Sequence, residues 1–479
     1  MELLVIPLVL AIISGFATKQ LLKYLALFGT LLTFLLIAYR SWEYFGSSEL
    51  VTLYSLNASS AFKCSFHLAY DGITLLMLLL NGIIFPLLVL AYYHTKWINN
   101  NRFVSMMFLM QFALIGVFLS MDVLLFYVFW EITLIPIFLI AYWFGSGERK
   151  KALIKFFIFT FVGSLAMLFS IIYLGSFTNS FNYSDVVSLG LTKEVAVWVM
   201  FGFLIAFAVK APIFPLHSWQ PDTYVSSPSP GTILLSALML KMALYGMVRW
   251  MIPLAPEAIE VFRYPVIILS IIGIIYAAII AIRLDDIKRV FAYASISHVG
   301  LIAGGIMIFT KDSLYASFLQ MLNHGLIALA LFMSAGILEE RLQTRSLAQM
   351  GGVAKLAPRF AMFFAIIAFA SVSVPFSMGF VGEFLLLKEI YSFSWISGLL
   401  AGTTLILGAI YTLRAYQLSM FSAPKISEFK DLHFNEWLVY IKISILLVVL
   451  GLFPHFIFDL VGPSIDKLLD SVFTINLLK

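Results

Sequence analysis

Residues 195–252 read VAVWVMFGFLIAFAVKAPIFPLHSWQPDTYVSSPSPGTILLSALMLKMALYGMVRWMI. One apolar run ends in Lys210 and breaks at Pro212 and Pro215, and a second, beginning at Pro228, carries Lys241 near its centre. A helix needs about 20 apolar residues to cross the hydrocarbon core of a bilayer. Proline inside a helix removes a backbone donor and clashes with the preceding turn. Broken backbone at membrane depth is tolerated only where protein or water satisfies the freed groups. The stretch therefore predicts membrane-crossing helices with a polar interior.

The rest of the chain extends this pattern. With 62% hydrophobic residues, 11% charged and a mean hydropathy of +1.01, a soluble domain is excluded. The sequence predicts an all-α polytopic membrane protein of about fourteen spans, near 2–18, 20–40, 70–94, 103–119, 121–144, 152–175, 195–214, 228–252, 259–282, 289–308, 313–338, 360–392, 396–418 and 435–458. Period-2 barrel strands are absent. The first span lacks a basic flank and a small-residue cleavage site, so it is expected to be retained as a helix.

Pro375, Gly379 and Gly382 interrupt the twelfth span as Pro212 and Pro215 interrupt the seventh. Interrupted helices five spans apart suggest two five-helix repeats, the second inverted, with discontinuous helices 7 and 12. The expected organisation is three N-terminal helices in 1–100, a first repeat in 101–252, a second in 253–421, and a last helix with its tail in 422–479.

Lysines and arginines crowd alternate connections, among them Lys19 and Lys23, Arg149 to Lys155, Arg283 to Arg289, Arg341 to Arg359, and Lys425 and Lys430. The positive-inside rule puts these connections in the cytoplasm or its equivalent and both termini on the opposite side, with the bacterial inner membrane the expected location. The net charge of +5 forms no aromatic-interleaved patch for nucleic acid. Cys64 is the single cysteine, which excludes an internal disulfide and a cluster held by this chain alone. No GxGxxG, P-loop or HExxH occurs, so no cofactor or metal site is expected.

Six titratable residues stand within apolar stretches: Glu131, Lys210, Lys241, His298, His324 and Glu383. A charge at bilayer depth costs a few kcal/mol, and residues that bear this cost usually line an ion or proton path. Glu131 and Lys210 are opposite charges at similar depth and are expected to pair directly. Moving one charge across about 150 mV takes roughly 3.5 kcal/mol, comparable with breaking a buried ion pair. Lys241 has no acid within a turn on its own helix, and histidine passes protons at either ring nitrogen. For each residue a static role stands beside the relay: a Glu–Lys strut, a lysine bonded to backbone carbonyls, a hydrogen-bonded core histidine. His217, in PLHSWQPD just past the break, lies near the cytoplasmic mouth or caps the helix end.

KAPIFPLHSWQPDTYVSSPSPGTILLSALMLKMALYGMVR (210–249) closely resembles the signature of the proton-pumping, antiporter-like subunits of respiratory complex I. DDIKRVFAYASISHVG, NHGLIALALF, MGGVAKLAP and PFSMGFVGEFLLL are similar to that family in the expected order, over about residues 70 to 420. The resemblance implies that Glu131 and Lys210 match the family's glutamate–lysine pair, Lys241 its central lysine, and His298 and His324 its bridging histidines. Glu383 points to the M-type (chain 4) branch, because related branches carry lysine there. Ala294, Ala243 and Ser226-Ser227-Pro228 depart mildly from the pattern and touch no titratable centre.

The resemblance implies a proton-translocating subunit of NADH–quinone oxidoreductase with no redox centre of its own, sitting in the lipid bilayer beside other membrane-arm subunits. A cation/proton antiporter chain and a membrane-bound hydrogenase-type subunit are the rival readings. A non-transporting scaffold is the third.

Overall fold

The computed structural model describes residues 1–56, 63–423 and 428–477. The chain opens with α1 (Glu2–Phe16) and α2 (Lys19–Tyr44), a hairpin of β1 (Val51–Leu56) and β2 (Phe66–Tyr70), then α3 (Gly72–Ala91) and α4 (Asn101–Leu119). Next come α5 (Val123–Ile132) and α6 (Leu134–Phe144), which form one apolar span, α7 (Arg149–Leu174), the short α8 (Tyr183–Val187), α9 (Lys193–Lys210) and α10 (Trp219–Ser226).

A single span, Ser229–Leu254, is built from α11 (Ser229–Ile233), α12 (Leu240–Gly246) and α13 (Ile252–Leu254), joined by π-helical turns at Leu234–Met239 and Met247–Met251. The second half holds α14 (Ile259–Arg283), α15 (Ile287–Ile308), α16 (Lys311–Leu342), α17 (Val353–Leu356), α18 (Pro358–Ser371) and α19 (Met378–Phe393). It closes with α20 (Trp395–Met420), α21 (Phe434–Leu452) and α22 (His455–Leu477). Among the described residues, eleven helical stretches are long and apolar enough to cross a membrane, with Glu2–Phe16 and Pro358–Ser371 as shorter apolar helices.

Polarity is arranged for lipid. The central stretches of the spans Ser229–Leu254 and Lys311–Leu342 are buried, whereas α2, α7 and α20 turn Phe28, Trp42, Ile154, Phe169, Leu399 and Ile406 outward. In lipid such faces need no cover, so the hydrophobic effect does not order the interior. Polar contacts between helices do, and they surround α11–α13, α15 and α16.

Both expected breaks are present, with differences in detail. The helix before Pro212 ends at Lys210 itself, so the ammonium stands at the break. The second break runs from Val372 to Ser377 around Pro375, with Ser373 and Phe376 in left-handed conformations at φ 57° and 74°. Gly379 and Gly382 lie inside α19 and are no part of that break. They are there for close approach: a Cβ at Gly382 would stand 2.6 Å from Gln320 Oε1, and one at Gly379 3.0 Å from Asn323 Nδ2.

Two elements were absent from the expected pattern. The connection 41–69 forms the β1–β2 hairpin, pinned where Asp122 Oδ2 accepts from Ser65 N and Oγ at 2.7 and 3.0 Å. The C-terminal tail is helical: α21 stops at Leu452, and α22 starts at His455.

Candidate functional site

Four of the six mid-span residues form one row. Lys241, fully buried, projects from the segment between the two π turns. A π turn shifts the backbone ladder by one residue and frees a carbonyl, and Lys241 Nζ donates to Ser236 O at 2.8 Å. The same nitrogen lies 2.6 Å from His324 Nδ1 on α16. When Lys241 is an ammonium it donates to that nitrogen; once the proton has crossed, the imidazole donates back.

The His324 ring centroid is 6.3 Å from that of His298 on α15. His298 Nδ1 is 2.8 Å from Glu383 Oε1 on α19. Four elements thus supply one member each, and the row is charge-assisted at both ends. Both rings line a cavity of ≈ 20 Å³, together with Ser236 and Ser295 and with apolar residues that include Phe291 and Leu331. That is room for about one water beside two imidazoles whose centroids are 6.3 Å apart.

Neutral groups hold the row in place, and sequence reasoning missed them. Gln320 Nε2 donates to Glu383 Oε1 at 3.1 Å, and Asn323 Nδ2 donates to Gln320 Oε1 at 3.2 Å. Tyr411 OH is 3.5 Å from His298 Nε2. The available signal was FLQMLNHG, in which Gln320 and His324 share one face four residues apart.

Glu131 and Lys210 behave differently. Among the described residues they form no direct contact: Lys210 Nζ and Glu131 Oε1 are both buried without a hydrogen-bond partner. Lys210 lies 5.0 Å from the centre of the Trp130 ring. Adjacent residues on a helix point about 100° apart, so turning Trp130 to the lysine turns Glu131 aside, toward Tyr127 and Ser164. The carboxylate's field still reaches the ammonium.

His217 stands apart from the row. It sits in the break after α9 between the rings of Phe214 and Tyr276, 5.5 and 5.2 Å away, with Nδ1 unpartnered. Nearby, Asp222 receives Lys155 at 3.0 Å and Arg289 at 3.3 Å on the wall of a 530 Å³ cavity among the basic connections. From α10, Gln220 Nε2 reaches Ser295 Oγ at 3.5 Å, and Ser295 Oγ reaches Ser236 Oγ at 3.4 Å. A thread of weak polar contacts therefore runs from near this cavity to the residue that receives Lys241.

Comparison with known proteins agrees with this architecture. Residues 120–408 match the family described as NADH:quinone oxidoreductase/Mrp antiporter, TM. NADH-quinone oxidoreductase subunit M of Rickettsia bellii is 35% identical over 461 residues, covering 94% of this chain and 92% of that protein. A chain in the structure of respiratory complex I from Thermus thermophilus with bound NADH superposes with a TM-score of 0.91 at 29% identity, covering 98% of this chain and 99% of that one. A chain of the Mrp complex from a Dietzia species shares the fold, at TM-score 0.88 and 19% identity, covering 99% of this chain and 98% of that one. By its matched residues, and by its near full-length likeness to a subunit M, the chain belongs to the NADH:quinone oxidoreductase/Mrp antiporter transmembrane family.

Proposed function

We propose that this chain is the M-type, proton-translocating membrane-arm subunit of an NADH–quinone oxidoreductase. The observation that carries the reading is the succession Lys241–His324–His298–Glu383, in which every member takes or gives a proton and each end contact is at hydrogen-bond distance. A proton on Lys241 passes to His324 Nδ1. It crosses the gap between the rings through a bridging water, and His298 Nδ1–H delivers it to Glu383. Reduction of quinone in partner subunits drives the cycle, because nothing in this row undergoes electron transfer.

Glu383 is the release group toward the side opposite the basic connections, since it follows the break at Val372–Ser377, where unwound backbone admits water. Glu131 and Lys210 form the input, with His217 at the cytoplasmic mouth. The full architecture is fourteen spans, with α1, α9 and the α18–α19 pair completing the eleven long ones. Spans 4–8 and 9–13 are inverted five-helix repeats within 101–252 and 253–421, following helices 1–3 in 1–100 and preceding the last helix and tail in 422–479. Neighbouring antiporter-like subunits are the partners, in a bacterial inner membrane with both termini away from the cytoplasm.

The test is Lys241→Ala in the assembled complex. Quinone reduction and assembly should persist, while proton translocation in reconstituted vesicles falls to background. Wild-type pumping by an assembled Lys241→Ala complex would sink the relay and leave Lys241 a packing residue.

A further inference from the structure

Buried polar groups also lead away from Lys241 toward a second cavity. A cavity of ≈ 750 Å³ opens at the end of the bundle away from the basic connections, walled by Tyr183 and by Ser464, Lys467 and Ser471 of α22. Asp71 and Arg249 also line it. Arg249 is 4% exposed and ion-paired to Asp71, its guanidinium 5.5 and 5.8 Å from the Tyr183 and Tyr245 rings. Its Nε has no partner among the described residues.

Lys241, Tyr245 and Arg249 follow one another at intervals of four along one helix, a face that rises about 12 Å from the relay lysine to the cavity. Tyr245 OH donates to Phe118 O at 2.9 Å and lies 3.2 Å from Thr74 Oγ1. Two turns deeper on those same faces of α3 and α4 stand Asn81 and Gln111, seven residues from Thr74 and Phe118. Both amides are 0% exposed, and among the described residues none of their four polar atoms has a partner. Leu80, next to Asn81, packs where a Cβ on Gly325 would lie, and Ala237 O borders the same point. Asn81 is therefore at the depth of His324 and the π turn that precedes Lys241. Buried amides left unpaired by protein are satisfied by ordered water.

We propose that Arg249, held by Asp71, is the electrostatic seal of a hydrated column running from the Asn81–Gln111 level past Tyr245 to this cavity. Guanidinium does not deprotonate in proteins, so it blocks a proton's passage instead of relaying it, as an arginine does in pores that exclude cations. The seal obliges a proton on Lys241 to leave along His324. This inference rests on the proposed function above, and the pair has a static alternative as a strut joining α3 to the Ser229–Leu254 span.

The experiment measures passive proton influx into vesicles holding the assembled complex at rest, with coupled pumping recorded in parallel. Asp71→Asn/Arg249→Gln removes both charges while keeping shape and hydrogen bonding. Influx should rise on the order of tenfold, the Coulomb barrier of one charge partly offset by its partner, and quinone reduction should continue. Arg249→Gln alone should leak as well, whereas Asp71→Asn alone, which keeps the cation, should stay tight. This pair of single variants decides the matter should the double variant fail to assemble. A wild-type complex that pumps beside a double variant, or an Arg249→Gln variant, as tight as wild type overturns the seal and leaves the function intact. A wild-type complex that does not pump overturns both.

Discussion

Glu131–Lys210 and Lys241–Glu383 are built from the same residue types at similar depth, yet only the second pair is wired. Between Lys241 and Glu383 stand two imidazoles, and the hydrogen bonds close at both ends, at 2.6 and 2.8 Å. Lys210 instead lies against an indole, 5.0 Å from the ring centre, and among the described residues neither its Nζ nor Glu131 Oε1 has a hydrogen-bond partner. A ring over a cation attracts it without offering a site for its proton. The difference teaches that charge at depth does not make a path. What makes one is a bridging group able to hold a proton: on the proposed function the second unit conducts, while the first, its input, holds charge.

Removing a bridge from the conducting unit is the severest way to break the comparison. His324→Leu preserves volume and deletes both nitrogens, leaving Lys241 bonded to Ser236 O. Proton translocation per quinone reduced should fall at least about a hundredfold, the low end of what a positioned acid–base group contributes. Assembled complex in vesicles with a pH-sensitive dye checks it. Retained pumping would mean that Lys241 reaches His298 or Glu383 by another way.

The complementary change converts the storing unit toward a wired one. Trp130→Leu removes the ring over Lys210, an attraction of about 1–2 kcal/mol when desolvated, and leaves the ammonium free to swing to Glu131. The structure of the variant should show a direct carboxylate–ammonium contact near 3 Å. Pumping should slow several-fold without stopping, because the later row is untouched. If Lys210 stays in place, packing of the α9 terminus and not the ring sets its position.

A smaller effect is expected from the supports of the row. Gly382→Ala places a methyl 2.6 Å from Gln320 Oε1. That oxygen ends a flexible side chain, so the fold absorbs the change at about 1 kcal/mol, the low end for overpacking. The displaced amide loses its 3.1 Å bond to Glu383. A thermal midpoint lower by a few degrees and a modest loss of pumping are expected, the melting loss relieved by Gln320→Ala in the same chain.

What sequence revealed and what it hid follow one physical rule. Glu131, Lys210, Lys241, His298, His324 and Glu383 were legible because a titratable group inside an apolar run is costly and conspicuous. Gln320, Asn323 and Tyr411 were not, since neutral polar groups cost less and occur in packed spans without function. The π turns at Leu234–Met239 and Met247–Met251 leave no trace in LLSALM or MVRWM, which hold no proline or glycine. Direct pairing of Glu131 with Lys210 was read from charge, depth and the family resemblance, and the rotation that turns Trp130 toward Lys210 is a matter of helix phase. In the same way, α22 was hidden because FDLVGPSIDKLLDS alternates charge with apolar residues and does not span.

The smallest effect on pumping is expected at the outer end of the storing unit, and it sharpens the comparison there. Asp122 caps α5, the helix that carries Trp130 and Glu131, with Leu124 N and Leu125 N donating to Oδ1 at 3.0 and 3.1 Å. The same carboxylate accepts from Cys64 Sγ at 3.5 Å. Burial first, and the Asp122 charge second, push the Cys64 thiol up to about 12. At pH 8 the thiolate fraction is then about a thousandfold below that of an ordinary cysteine, so maleimide labelling should be slower by a similar factor. Asp122→Asn removes the anion that opposes thiolate formation while leaving burial in place. Labelling should therefore quicken, though not to the rate of a free thiol, and pumping should change little because no proton of the row passes there. Mass spectrometry of labelled complex measures it. Fast labelling of the wild type at rest would show that the start of α5 is loose and that the position of Trp130 over Lys210 is one of several.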